Sequence, residues 1–177
     1  MCSHYQVKTR LRQLAGRFRF LVGPEMADEP VEDVRPTDRA PLVLGGGRLV
    51  FAAWGLASAW DRRPIINARA ESLTDRPTFR PLLTAGRCLV PADVYFEWRH
   101  AGRAKFRNTV VRPDGGPFAF AGLTDGARFT LVTCAAGPDV AAVKDRMPVV
   151  LEETAEEAWI DPAAPFEAVA PLPPPPP

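Results

Sequence analysis

The sequence predicts an α+β single domain, rich in strands, with short helices towards both ends. Three observations carry that expectation. The chain has 177 residues, 46% of them apolar and 24% charged, the composition of an ordinary globular domain. Chains of roughly 150 residues bury about 68–70% of their unfolded surface around one core. Runs of strand length, rich in Val, Leu, Phe and Thr, recur between Gly, Pro and Asp turn signals. No strand leads through a Gly-rich loop into a helix, so no nucleotide cofactor is implied.

Val7, Leu11, Leu14, Phe18 and Leu21 recur every three or four residues and predict an amphipathic helix over residues 7–21. Pro24, Pro30, Pro36 and Pro41 among acids make residues 23–41 an irregular loop. Residues 41–44 and 48–54 flank Gly45-Gly46-Gly47 and read as a hairpin. Asp75 and Pro77 suit the start of a short helix reaching Leu83. Residues 87–98 mix strand formers with a break at Pro91. Residues 105–112 and 117–123, joined by Pro113-Asp114-Gly115-Gly116, suggest a second hairpin. Residues 129–136 form another strand, and residues 149–160 start extended and become helical at Glu152. The domain is expected to span residues 1–165. Residues 166–177 form a tail ending in PLPPPPP, a tract for polyproline II or disorder with no partner assigned.

The chain carries 22 Lys+Arg and 21 Asp+Glu, a formal net charge of +1, which as a sum argues against a nucleic-acid binder. The distribution reverses that reading. Nine arginines and Lys105 lie between Arg62 and Arg107, against Glu71, Asp75, Asp93 and Glu97. Acids crowd residues 25–39 and the stretch after Arg146. High-GC coding would raise Arg over Lys throughout, but it does not explain the clustering. A local positive surface inside a neutral protein suits an anionic ligand. No run approaches the roughly 18 apolar residues of a membrane span. The opening MCSHYQVKTR has no secretory apolar stretch. With Cys2, Cys88 and Cys134 too sparse for a disulfide framework, a reducing cytoplasm is the expected compartment. Cys2, His4, Cys88 and Cys134 lack paired metal-ligand spacing, so no metal site is expected.

Four places bear chemistry. Cys2 becomes N-terminal if the initiator Met is removed. It would then carry an α-amine titrating near about 7.7–8.0 beside a thiol. That pair condenses with an aldehyde, first to an imine and then to a five-membered thiazolidine, which no internal cysteine can do. Taken alone, a second-position Cys is more often accidental. Glu97 stands between Phe96 and Trp98, where poor solvation favours a general acid or base; the plainer reading is an outward Glu on a strand. Asn67 supplies a carboxamide, or a turn, and Arg69 and Glu71 are placed to pair. Lys144, Asp145 and Arg146 precede a Met-Pro step, which otherwise reads as a charged turn.

In this order, MC at the start, RPTDRAPLV (35–43), AWGLASAW (53–60), NARAE (67–71), FR (79–80), RCLVPADVYFEW (87–98), FAFAGLTD (118–125) and DRMPVVL (145–151) resemble the SOS-response-associated peptidase (SRAP) family. The likeness runs from residue 1 to about residue 160. It implies a single domain built on a central sheet or barrel-like core with flanking short helices. It also implies an abasic-site processing protein of the DNA damage response, acting on single-stranded DNA in the bacterial cytoplasm and nucleoid, monomeric and free of membrane. Cys2 corresponds to the residue that crosslinks the abasic aldehyde as a thiazolidine, Asn67 to the residue that orients the adduct, and Glu97 to the residue that assists ring opening and reversal. Peptidase then means self-cleavage that exposes Cys2, with lyase chemistry a further implied activity. Arg69, Arg80, Arg87 and Arg146 lie in segments that contact phosphates, and Trp54 is placed to stack on a base or to fill the core. One departure stands out: Lys144 takes a slot where the family has His. A proton shuttle near pH 6.5 is replaced by a group that normally stays charged. The alternative readings are a non-catalytic single-stranded DNA binder and a thiol peptidase acting on other proteins.

Overall fold

In the computed structural model, which describes residues 2–26 and 28–170, strands dominate. The order is β1 (Tyr5–Val7), α1 (Leu11–Phe18), β2 (Val31–Val34), β3 (Arg39–Leu44), β4 (Arg48–Trp54) and β5 (Asn67–Arg69). A 3-10 turn, Ala70–Ser72, leads to α2 (Leu82–Ala85), β6 (Arg87–Ala92), β7 (Val94–Ala101), β8 (Ala104–Val110), β9 (Phe118–Thr124) and β10 (Arg128–Ala135). The chain ends with α3 (Pro138–Ala141), β11 (Arg146–Pro148), β12 (Val150–Leu151), α4 (Glu153–Ile160) and α5 (Phe166–Val169). The PLPPPPP tract lies outside the described residues. No described helix is long and apolar enough to cross a membrane.

Five strands close a ring. β3 pairs with β4 and β6, β6 with β9, and β9 with β10, all antiparallel; β10 then runs parallel to β4. The expected barrel-like core is therefore present, and closure leaves those strands without a free edge. β5 extends the β4 side of β10, and β11 pairs with its far end. A second sheet, β2-β1-β7-β8, packs alongside. Tyr5, Trp54, Phe120 and Phe129 meet at the centre, with Tyr5 edge-on to both Trp54 and Phe120. β9 approaches β6 so closely at Gly122 that a Cβ there would lie 2.7 Å from Val90 and 2.8 Å from the Cys88 sulfur.

The first hairpin forms as expected, Leu44 opposite Arg48. Five expectations need correction. Residues 23–41 are not all loop: they carry β2 and the start of β3, with Pro41 opposite Phe51. Pro91 does not break its strand but pairs with Ala119 inside β6, and the break falls at Asp93. The helix over 7–21 shrinks to Leu11–Phe18, because Val7 joins β1. The Asp93 carboxylate then accepts bonds from the Lys8 and Thr9 amides and the Thr9 hydroxyl, fixing a turn before the helix. Arg19, at φ 54°, ends it. The helix from Asp75 to Leu83 is replaced by turns and the short α2, because Pro81 cannot sit inside a helix. The hairpin joining 105–112 to 117–123 does not form. β8 pairs instead with β7 across a two-residue loop at Gly102, φ 60°. β9 is buried along its whole length and is taken by the ring, whereas β8 is mostly exposed.

Candidate active site

β1 runs antiparallel to β7, Tyr5 opposite Tyr95, and the Phe96 amide donates to the His4 carbonyl at 3.0 Å. This pairing lays residues 2–4 along β7 towards Glu97. Asn67 opens β5, opposite Leu131 of β10, and its Nδ2 donates to the Cys2 carbonyl at 2.8 Å. The start of the chain is thus held in the interior by a side chain 65 positions away.

Cys2 has 0% exposure and its Sγ donates weakly to the His4 carbonyl at 3.6 Å. Burial pushes the thiol up to about 12; the His4 bond opposes this and the negative Glu97 adds to it. In this sealed state the sulfur is a neutral thiol and a poor nucleophile. Glu97 is 2% exposed. Burial raises its carboxyl above the usual range, against the pull of the positive chain terminus and of Lys144. Lys144, half-buried in the turn before β11, is therefore within electrostatic reach of the carboxylate. The Asn67 Oδ1 is buried and has no hydrogen-bond partner among the described residues. Cys2, Asn67, Glu97 and Lys144 come together from four separate stretches of chain.

The expected phosphate contacts divide. Arg69 and Arg80 are exposed and make no ion pair among the described residues. Arg146 is held by Glu71 in a two-pronged pair at 2.8 and 3.1 Å and also donates to the Thr133 carbonyl. Glu71 thus pairs with Arg146 and not with Arg69, the nearer neighbour in sequence. Arg87 is 3% exposed and donates to the carbonyls of Trp159, Leu83, Asp161 and Ala164. Its guanidinium serves the fold and is not presented to a ligand. Trp54 is also a core residue, its Nε1 bonded to the Ile66 carbonyl at 2.8 Å and its ring stacked on Phe129.

Exposed groups that the sequence did not single out stand nearby in the chain. Trp60 is 93% exposed in the loop after β4, next to Arg62. The β7–β8 hairpin carries Arg99, Arg103, Lys105 and Arg107, none of them in an ion pair among the described residues. Arg99, Lys105 and Arg107 lie over the rings of Phe106, Trp98 and Phe96. A second tryptophan so close to the first, with arginines following it, was the available signal for Trp60. Two open depressions, about 370 and 470 Å³, lie beside Asp93 and Arg80; neither is lined by Cys2, Asn67 or Glu97.

The chain belongs to the SOS response associated peptidase (SRAP) family, whose model matches residues 1–176. It is 29% identical over 183 aligned residues to the abasic site processing protein YoqW of Bacillus subtilis, covering 92% of this chain and 81% of that protein. It is 34% identical to the abasic site processing protein YedK of Escherichia coli over 116 residues, 60% of this chain and 52% of that one. A crystal structure of a Bacteroides thetaiotaomicron protein superimposes with a TM-score of 0.82 at 25% identity, covering 96% of this chain and 85% of the other.

Proposed function

We propose that this protein processes abasic sites in single-stranded DNA by covalent capture through Cys2. The observation that carries this reading is the Asn67 Nδ2 bond to the Cys2 carbonyl, 2.8 Å, beside a buried Glu97 whose charge reaches the Cys2 thiol. Such a bond fixes the position of the chain start while leaving its amine and sulfur for chemistry. Removal of Met1, by self-cleavage or by an aminopeptidase, makes Cys2 terminal.

The ring-opened sugar presents an aldehyde at C1′. The Cys2 amine adds to that carbon, and the resulting carbinolamine loses its oxygen as water to give an imine. The sulfur then adds to the imine carbon and its proton passes to nitrogen, closing the thiazolidine. The net change is the loss of one water. Glu97, whose carboxyl burial raises above the usual range, suits proton delivery to the sugar ring oxygen and later to the departing hydroxyl. Lys144, whose charge acts on Glu97, takes the position of the family's proton-shuttling His. On this reading capture persists, while the proton-transfer steps, reversal among them, are slow.

Binding falls to the exposed Arg69 and Arg80 and to the cations of the β7–β8 hairpin, with Trp60 as a stacking platform. Unpaired arginines with an exposed aromatic hold a single-strand backbone without reading sequence, and affinity then falls with salt. Arg87 and Trp54 are left out of this set because both are buried. Arg146 contributes through its pair with Glu71.

The test is intact mass after incubation with an oligonucleotide carrying one abasic site, and with its undamaged counterpart. The expected product is the sum of protein and abasic strand less one water, absent with undamaged DNA and absent in Cys2→Ala. Binding of the abasic strand without any adduct would overturn the covalent reading and leave a DNA binder.

A further inference from the structure

We propose that the Tyr95 hydroxyl is a hydrogen-bond donor to the oxygen of the abasic sugar captured at Cys2. This rests on the covalent reading above and adds to it a residue that neither the composition nor the motifs pointed to.

Tyr95 is 1% exposed and its hydroxyl is buried without a hydrogen-bond partner among the described residues. Folds rarely leave such a group unsatisfied, because nothing replaces the water it has lost. The residue lies on β7 two positions before Glu97, so both side chains fall on the same face of the strand. It stands opposite Tyr5, and from Tyr5 the chain leads back to Cys2 alongside β7. The ring is gripped edge-on by Phe118 at 6.4 Å and Phe120 at 5.6 Å, which fixes the direction of the C–O bond. Burial first, and the negative charge of Glu97 with it, raise the phenol above its ordinary value, so it stays a protonated donor. The Tyr5 hydroxyl also lacks a partner among the described residues, but Glu97 is not among the groups that act on it.

Asn67 Oδ1 is the matching unpartnered acceptor of the same site. One buried donor and one buried acceptor, both without partners, suit a ligand that carries an oxygen and a hydroxyl or N–H. The carbinolamine is such a species. As its C–O bond breaks and the C=N bond forms, the leaving oxygen takes a proton from Glu97 and departs as water. Tyr95 donates a hydrogen bond to that oxygen throughout and keeps its own proton.

The variant is Tyr95→Phe, which removes one atom and leaves the ring in place. The measurements are the single-turnover rate of adduct formation at saturating abasic DNA, the DNA Kd by fluorescence anisotropy, and Tm. They use protein whose intact mass shows Cys2 to be terminal. The expected result is adduct formation slowed about tenfold, the worth of one hydrogen bond, with Kd unchanged and Tm equal or higher. An unchanged rate overturns the proposal, and so does a fall in Tm, which would make the hydroxyl a structural group. Absence of any adduct in the unsubstituted protein would instead sink the covalent reading itself, and this one with it.

Discussion

Arg87 separates a fold-bracing arginine from a DNA-binding one, and the two roles predict opposite results. Its guanidinium donates at 2.6 Å to the Trp159 carbonyl at the end of α4 and at 2.8 Å to Ala164, with further bonds to Leu83 and Asp161. Its plane also lies 5.9 Å from the Trp159 ring centroid. Replacing it with Met keeps most of the stem packing and removes all four donors. The Asp161 and Ala164 carbonyls belong to more exposed residues, where water takes over the bond. The Leu83 and Trp159 bonds are buried, and each stranded acceptor costs about 1–3 kcal/mol. The expected loss for Arg87→Met is then about 2–6 kcal/mol, a fall in Tm of roughly 4–24 °C at about 2–4 °C per kcal/mol for a chain of this size. The assay pairs thermal unfolding by circular dichroism with single-stranded DNA binding across a salt series. Each phosphate contact contributes a slope of about −0.7 in log K against log salt. Arg87→Met should leave that slope unchanged, whereas Arg69→Ala should make it shallower by about one contact. An unchanged Tm with a shallower slope for Arg87→Met would refute the assignment.

Two further outcomes follow from the site's electrostatics. A free glutamate ionises near about 4.3, and in the fold Glu97 does so at higher pH because it is buried. The folded state therefore binds the extra proton between those two values, so Glu97's contribution is most favourable at low pH and is lost as pH rises through its folded pKa. Glu97→Gln should consequently raise Tm at neutral pH, with the gap closing towards pH 4, while slowing capture and reversal; a Tm gap independent of pH would contradict this. Lys144→His should speed release of the crosslink, measured by adduct decay after excess undamaged strand is added, with formation little affected. Equal formation and release rates in both proteins would show that the position carries no proton traffic.

Local chemistry made the elements legible. Three glycines between two apolar runs announce the β3–β4 hairpin, and the turn from β12 into α4 is written in residues 149–160. Cys2, Asn67 and Glu97 could be singled out because each residue type has a chemistry of its own: an amine and thiol on one frame, an amide with two faces, a carboxylate among aromatics. Their meeting could not be read, because it depends on β1 docking against β7 and on β5 extending the ring at β10, pairings between residues scores of positions apart.

Long-range partnering also decided every charge. The basic middle of the chain looks uniform in sequence, yet Arg87 turns inward to four carbonyls, Arg146 takes the carboxylate that Arg69 was placed to take, and Arg69 and Arg80 stay exposed and in no ion pair among the described residues. The two tryptophans of AWGLASAW show the same division: Trp54, on a ring strand, is sealed in the core, and Trp60, six residues later in a loop, is almost wholly exposed. By itself the sequence determined the strand-rich architecture, the positive middle hidden in a net charge of +1, and which side chains had the chemistry to matter. Only the tertiary structure decided which of them are buried, which are neutralised and which remain available. Burial and ion pairing are set by neighbours that folding brings together, and those neighbours carry no signature in the order of residues along the chain.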